Sequence, residues 1–221
     1  MKQYRYLLFD LDGTLTDPKI GITRCVAYAL ESFGIQVNDL NQLTCFIGPP
    51  LIDSFMEYYH FSEKDAQKAL EKYRERFHTV GLFENHVYHG MDKLLKELTI
   101  SNYQLILATS KPHIYAKQIL SHFHLESYFT FLAGSELNGI RTKKGEVIAY
   151  VLKECHISNR SQVLMIGDRK HDILGAKENQ IDSMGVLFGY GDREELQTAG
   201  ADYIIETVQD MYNFFLSPSN Q

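Results

Sequence analysis

Asp10 and Asp12 stand two residues apart in Asp10-Leu11-Asp12-Gly13-Thr14-Leu15, directly after the apolar run Tyr6-Leu7-Leu8-Phe9. Two acids at the end of a buried strand, with a Gly-Thr turn behind them, offer a nucleophile and an acid/base on neighbouring positions. Open α/β sheets bind ligands at the carboxyl ends of their strands. Three more polar groups occupy comparable places. Thr109-Ser110-Lys111-Pro112 follows the apolar run 104–108, Gly167-Asp168-Arg169-Lys170-His171-Asp172 follows 162–166, and Arg141-Thr142-Lys143-Lys144 precedes a helical stretch. On a parallel sheet all of them converge on one edge.

That set suits phosphoryl transfer, where catalysis is mainly positioning and cancellation of charge on the transferring oxygens. Asp10 and Asp168 would hold a metal, and an all-oxygen donor set suits Mg²⁺. One lysine, Lys143 or Lys144, would neutralise the phosphate, while the Thr109 hydroxyl and the Ser110 N–H hydrogen-bond it. Asp10 stays ionised and attacks phosphorus. Asp12 must carry a proton to the leaving oxygen and later take one from water. Neighbouring carboxylates and partial burial raise its pKa toward that task.

Each piece alone has a plainer reading. An acid after a strand is often a helix N-cap or a turn residue. Lys143-Lys144 alone reads as surface charge, and Asp168 and Asp172 as a cap and a solvated helix face. The four groups weigh more together, because all sit at strand ends with matching chemistry. His86 with His89, and His122 with His124, lack a carboxylate or cysteine to complete a metal site and read as surface or linker residues. Gly189-Tyr190-Gly191 lacks the spacing of a nucleotide-binding loop and reads as a turn near the same sheet edge.

The elements that must hold these groups are legible as alternating runs. Strand-length apolar segments recur at 6–9, 104–108, 128–133, 162–166, 183–187 and 203–205. Helical spacing marks 91–98, 114–123, 146–155 and 210–216. Strands alternating with helices indicate βαβ units and a parallel sheet. The stretch 17–86 differs: it has helical patterns at 20–33 (stopped by Gly34), 51–59 and 63–80, and no convincing strand. About 70 residues exceed what a parallel crossover needs. The expectation is therefore an α/β, Rossmann-like parallel-sheet core, 1–16 and 87–221, with an inserted α-helical cap subdomain, 17–86. The tail 217–221 is expected to fray.

Composition narrows the class further. In 221 residues, 44% hydrophobic and 23% charged, the formal net charge is −6. That acidity disfavours non-specific nucleic-acid binding, which needs a basic face, and leaves room for a local basic pocket for one small anion. No apolar run reaches the roughly 18 residues of a membrane span, and no secretory leader is visible. Three scattered cysteines, Cys25, Cys45 and Cys155, read as small core residues in a reducing cytoplasm. A cytoplasmic monomer or homodimer acting on a small phosphate ester, with no nucleic acid and no membrane, is expected.

Three stretches carry a family resemblance that covers nearly the whole chain. They are Phe9-Asp10-Leu11-Asp12-Gly13-Thr14-Leu15-Thr16-Asp17, Leu107-Ala108-Thr109-Ser110-Lys111-Pro112, and Ile166-Gly167-Asp168-Arg169-Lys170-His171-Asp172 with Gly175-Ala176. The chain resembles the haloacid dehalogenase superfamily, in particular its phosphoglycolate-phosphatase-like group with a helical cap. The resemblance implies Asp10 as nucleophile through an aspartyl-phosphate, Asp12 as acid/base, and Thr109 on the phosphate. It implies Mg²⁺ held by the Asp10 carboxylate, the Asp12 main-chain oxygen and Asp168, with Asp172 orienting metal-bound water. The lysine motif departs from the usual Lys-Pro-x-Pro, and the resemblance favours Lys144, two residues before Glu146-Val147-Ile148. Ser110 replaces a more frequent Asn. Ile47-Gly48-Pro49-Pro50-Leu51 is similar to the cap loop that reaches over the site, so Gly48, Pro49 and Arg24 of the first cap helix are expected substrate contacts, with cap opening as the gate. A Mg²⁺-dependent phosphatase acting on a phosphoglycolate-like, nucleotide or sugar phosphate is expected. A sugar-phosphate mutase is the nearest alternative, because it uses the same two aspartates. A dehalogenase does not need Asp12. A phosphonate hydrolase would need a cap lysine, yet Lys64, Lys68 and Lys72 read as a solvated face. Filled catalytic positions disfavour a non-catalytic binding protein.

Overall fold

Val163-Leu164-Met165-Ile166-Gly167 is buried at every residue, the signature of a strand covered on both faces. The computed structural model describes residues 3–217. Within it the strands are β1 (Tyr6–Phe9), β2 (Thr16–Asp17), β3 (His86–Val87), β4 (Gln104–Pro112), β5 (Phe129–Ser135), β6 (Val163–Gly167), β7 (Asp182–Val186) and β8 (Tyr203–Ile205). The α-helices are α1 (Lys19–Glu31), α2 (Leu51–Tyr59), α3 (Glu63–Arg76), α4 (Met91–Ile100), α5 (His113–His122), α6 (Lys144–Glu154), α7 (Lys170–Glu178), α8 (Arg193–Ala199) and α9 (Val208–Leu216). The chain forms two units, one running through Thr16 and resuming at Val87, the other being Asp17–His86.

The first unit is a six-stranded parallel sheet in the order β5-β4-β1-β6-β7-β8. Along β1, β4 and β6 alternate residues share a face. Leu8, Ile106, Ala108, Val163 and Met165 pack with Val147, Ile148 and Val151 of α6 and with Ala176 of α7. Each fully buried aliphatic side chain there contributes about 2 kcal/mol. From β1 the chain moves toward β4 and β5, and from β6 it moves toward β7 and β8. The connections leaving β1 and β6 therefore diverge, which opens a crevice at their carboxyl ends.

Helices α6 and α7 meet through glycine. A Cβ on Gly175 would lie 2.9 Å from the Gly145 nitrogen and 3.1 Å from Lys144 Cβ. The Asn179 side-chain amide clasps the crossing, donating to the carbonyls of Gly145 and Gly175 at 2.9 Å each. This close approach sets where α6 begins, and hence where Lys144 stands.

The second unit holds α1, α2 and α3, with a 3₁₀ segment at Leu40–Phe46 and a π turn at Phe77–Gly81. Its core is aromatic: Phe46 packs on Phe55, which stacks on Phe61. Helix α1 ends at Glu31, short of the expected Phe33, because Ser32, Phe33 and Gly34 donate three residues back and tighten the last turn. Likewise α3 ends at Arg76, and its expected continuation is the π turn. Strands β2 and β3 pair with each other, at the two ends of a stretch that reads as strandless; two-residue ladders carry no periodicity to detect. All three cysteines are thiols, and only Cys25 is fully buried; Cys45 and Cys155 are partly exposed. No helix among the described residues is long and apolar enough to cross a membrane. Of the tail expected to fray, 218–221 lie outside the described residues.

Replacing Gly175 with Ala is expected to force α6 from α7, since the new Cβ meets backbone. A loss of about 1–3 kcal/mol should appear as a lowered melting temperature by circular dichroism.

Candidate active site

Strand β1 does not stop at Phe9 in its hydrogen bonding: the Asp10 N–H donates to Ile166 O at 2.9 Å. The backbone then turns sharply. Leu15 and Thr16 N–H groups both return to Leu11 O, at 2.9 and 3.0 Å, and Gly13 takes φ +80°. A Cβ there would fall 2.1 Å from Asp168 Oδ2, so glycine is required by both conformation and space. Leu11 and Leu15 are fully buried and anchor the turn. The result presents Asp10 and Asp12, both buried, at the crevice.

Lys144, the first residue of α6, is 5% exposed, and a buried ammonium persists only when it is paired. Its Nζ lies 2.7 Å from Asp10 Oδ1 and 2.8 Å from Asp172 Oδ1, and donates to Ala108 O at 3.0 Å. Lys143 is exposed. Burial works against the Lys144 charge, but Asp10 and Asp172 outweigh it and hold its pKa above the ordinary lysine value.

Asp168 is fully buried. Its Oδ2 accepts the Tyr190 N–H at 2.8 Å, and its Oδ1 has no donor. Burial, then the nearby charges of Asp172 and Asp10, push its pKa well above the usual carboxylate range. Burial likewise raises Asp172 to about 6, against the pull of Lys144. Asp10, Asp168 and Asp172 each offer an oxygen within 4.8 Å of the others. Three carboxylates against one ammonium leave the cluster negative and one oxygen bare. That fits a hard divalent cation with oxygen ligands, such as Mg²⁺. No other group of three or more metal-ligating side chains occurs among the described residues, and the Asp12 side chain is outside this one.

Asp12 is held differently. Its Oδ2 pairs with Lys111 Nζ, and its Oδ1 is buried without a partner. Burial raises its pKa, and Lys111 opposes the rise. Thr109, 2% exposed, accepts the Lys111 N–H on its Oγ1 at 3.2 Å. Ser110 is half-buried, and its carbonyl accepts the Ser135 hydroxyl at 2.8 Å.

The first unit thus gathers Asp10, Asp12, Thr109, Lys144, Asp168 and Asp172. Arg24, Gly48 and Pro49 belong to the other unit. There Arg24 pairs with Glu84 at 2.6 Å, and Glu84 also pairs with Arg76 at 2.7 Å; Gly48 has φ +106°. Lys111 has no motif of its own in the sequence, although the strand period of two places it on the Thr109 side of β4. Gly189-Tyr190-Gly191 is more than a turn, because the Tyr190 N–H donates to Asp168; a backbone donor leaves no mark in residue type.

The chain matches the family described as haloacid dehalogenase-like hydrolase over residues 7–186. It is 47% identical over 195 residues to a 5'-nucleotidase of Pseudomonas aeruginosa, covering 88% of each chain. It is 35% identical over 185 residues to the tyrosine-protein kinase PtkA of Mycobacterium tuberculosis, covering 84% of this chain and 62% of that one. Among solved structures, a predicted phosphatase from Clostridium acetobutylicum superposes with a TM-score of 0.93 at 47% identity, covering 96% of this chain and 97% of that one.

Because ionised Asp168 is disfavoured by burial, its charge costs stability as pH rises above the unfolded carboxylate pKa. Asp168→Asn is therefore expected to raise the metal-free melting temperature near pH 7. The gain should fade toward about pH 4, and the variant should lose stabilisation by Mg²⁺. Calorimetry across pH, with EDTA or Mg²⁺, checks both. Mg²⁺ should bind wild type more weakly at about pH 5.5 than at about 7.5, since protons compete for the same oxygens.

Proposed function

Because this chain belongs to the haloacid dehalogenase-like hydrolase family, we propose that it is a Mg²⁺-dependent phosphatase hydrolysing a small phosphomonoester through an aspartyl-phosphate on Asp10. The observation that carries this reading is the buried grouping of Asp10, Asp168 and Asp172 around the single ammonium of Lys144.

Asp10, Asp168, Asp172 and the Asp12 main-chain oxygen would hold Mg²⁺, whose positive charge draws a phosphate dianion toward an anionic nucleophile. Lys144 adds a fixed charge beside Asp10, and Thr109 and Ser110 hydrogen-bond the phosphate. An Asp10 oxygen attacks phosphorus; the bond to the ester oxygen breaks, and that oxygen takes the proton of Asp12. Asp12, now a carboxylate, takes a proton from water as the oxygen of that water attacks the phosphorus. Phosphate leaves, and Asp10 and Asp12 return to their starting states. Proton transfer of this kind contributes about 10²–10⁴ in rate.

Nucleoside monophosphates are the first substrates to try, on the likeness to the 5'-nucleotidase; phosphoglycolate and sugar phosphates follow. We assign the choice among them to the helical unit Asp17–His86 acting as a cap. We read the three thiols Cys25, Cys45 and Cys155 as those of a cytoplasmic protein. The likeness to a tyrosine-protein kinase favours a second reading, in which a hydroxyl takes the phosphoryl group from Asp10 in place of water. A sugar-phosphate mutase is a case of the same chemistry.

Asp10→Asn should cut phosphate release at least about 10³-fold in a colorimetric screen with Mg²⁺ and these esters, and no acyl-phosphate should be trapped by borohydride. Unchanged turnover would remove Asp10 as nucleophile. Phosphorylated product without free phosphate would favour transfer over hydrolysis.

A further inference from the structure

Lys111 was not needed to place the nucleophile, the metal or the phosphate, yet its side chain is only 7% exposed. Lysine is rarely so buried without a task for its charge. Its ammonium meets Asp12 Oδ2, whereas Asp12 Oδ1 is buried and accepts no hydrogen bond. The two oxygens of one carboxylate are thus in opposite conditions.

The backbone that aims Lys111 is also constrained. Register between β4 and β5 shifts between Ala108 and Pro112; irregularities of this kind re-aim side chains beside active sites. Within that irregular stretch the Lys111 N–H is tied to Thr109 Oγ1 at 3.2 Å, and the Ser110 carbonyl to Ser135 Oγ at 2.8 Å. Lys144 meanwhile serves Asp10 and Asp172. The two buried lysines are divided between the two aspartates of the first motif.

We propose that Lys111 is a positioning residue for proton transfer: it clamps Asp12 Oδ2 and so presents Oδ1 as the oxygen that gives a proton to the leaving group and recovers one from water. This rests on the phosphatase reading above. A carboxylate swings freely about its terminal torsion, which has broad, two-fold wells. Fixing one oxygen removes that freedom, and misplacement of a reacting group by about 1 Å can cost about 10²-fold.

The test compares two esters that differ in their need for an acid. The alkyl oxygen of a nucleoside 5'-monophosphate must be protonated as it leaves; the nitrophenolate of p-nitrophenyl phosphate departs as a stable anion. With Mg²⁺ present, kcat/KM reports the steps through formation of the aspartyl-phosphate. Lys111→Met should lose at least about tenfold more on the alkyl ester than on the aryl ester. Lys111→Arg, which keeps the cation, should recover most of that difference. In an Asp12→Asn background, adding Lys111→Met should leave the alkyl-to-aryl ratio where Asp12→Asn alone puts it, because the lysine acts through the aspartate. Equal losses on both esters, or an added change in the ratio in the double variant, would overturn the role of Lys111 while leaving the phosphatase reading intact. Wild-type enzyme silent on both esters and on the wider phosphate screen would overturn both. Melting curves of each variant separate these effects from misfolding.

Discussion

The site is governed by one electrostatic constraint: three buried carboxylates, Asp10, Asp168 and Asp172, cluster where the Lys144 ammonium pairs with only two of them, Asp10 and Asp172. Burial strips each carboxylate of hydration and the neighbouring carboxylates add repulsion; the raised pKa values of Asp168 and Asp172 express that cost. Much of the surrounding structure answers it. The glycine crossing of α6 and α7 lets Lys144 reach inward. The Tyr190 N–H stabilises one Asp168 oxygen, and Arg169 N–H donates to Asp172 Oδ2 at 3.1 Å. What stays unbalanced is negative charge, which a bound cation would offset.

Sheet topology supplies the other half of the arrangement. Two divergent connections leave β1 and β6 with open carboxyl ends, so residues from four distant stretches meet without any of them bending far from its strand or helix. The glycine at position 13 then allows the first loop to lie against Asp168. Charge and chain geometry are met by the same few residues, which explains why the motifs are short.

Much of this was legible in the residues. Alternation of apolar runs marks the strands because they are buried on both faces, and Asp10, Asp12, Lys144, Asp168 and Asp172 sit where strand ends and a helix start are expected, whereas Thr109 lies inside β4, which runs on past the apolar residues to Pro112. What escaped has physical reasons. Helix α8, Arg193–Ala199, is short and buries only Leu196 and Ala199, too little for periodicity. The 3₁₀ segment Leu40–Phe46 rests on an Asp39 side-chain cap, not on an apolar stripe. Lys111 carries the same charge as a surface lysine, and only the burial of its aliphatic stem and its ion pair with Asp12 distinguish it. Lys143 is the extended N-cap of α6 and Lys144 its first helical residue, and spacing alone does not fix a helix boundary to one residue.

Strand β1 lies at the centre of the sheet, and its partners are far along the chain: Tyr6 sits opposite Gln104 on one side and Val163 on the other. Contacts of such separation are slow to form. During synthesis the apolar run Tyr6–Phe9 and the acids behind it remain without a sheet until more than 150 later residues have been made. The intervening helices, whose contacts are local, need not wait. The earliest-made part of the site is thus among the last to be seated, and the interval in which an unpaired hydrophobic strand must be kept from other chains is set by the distance to β6.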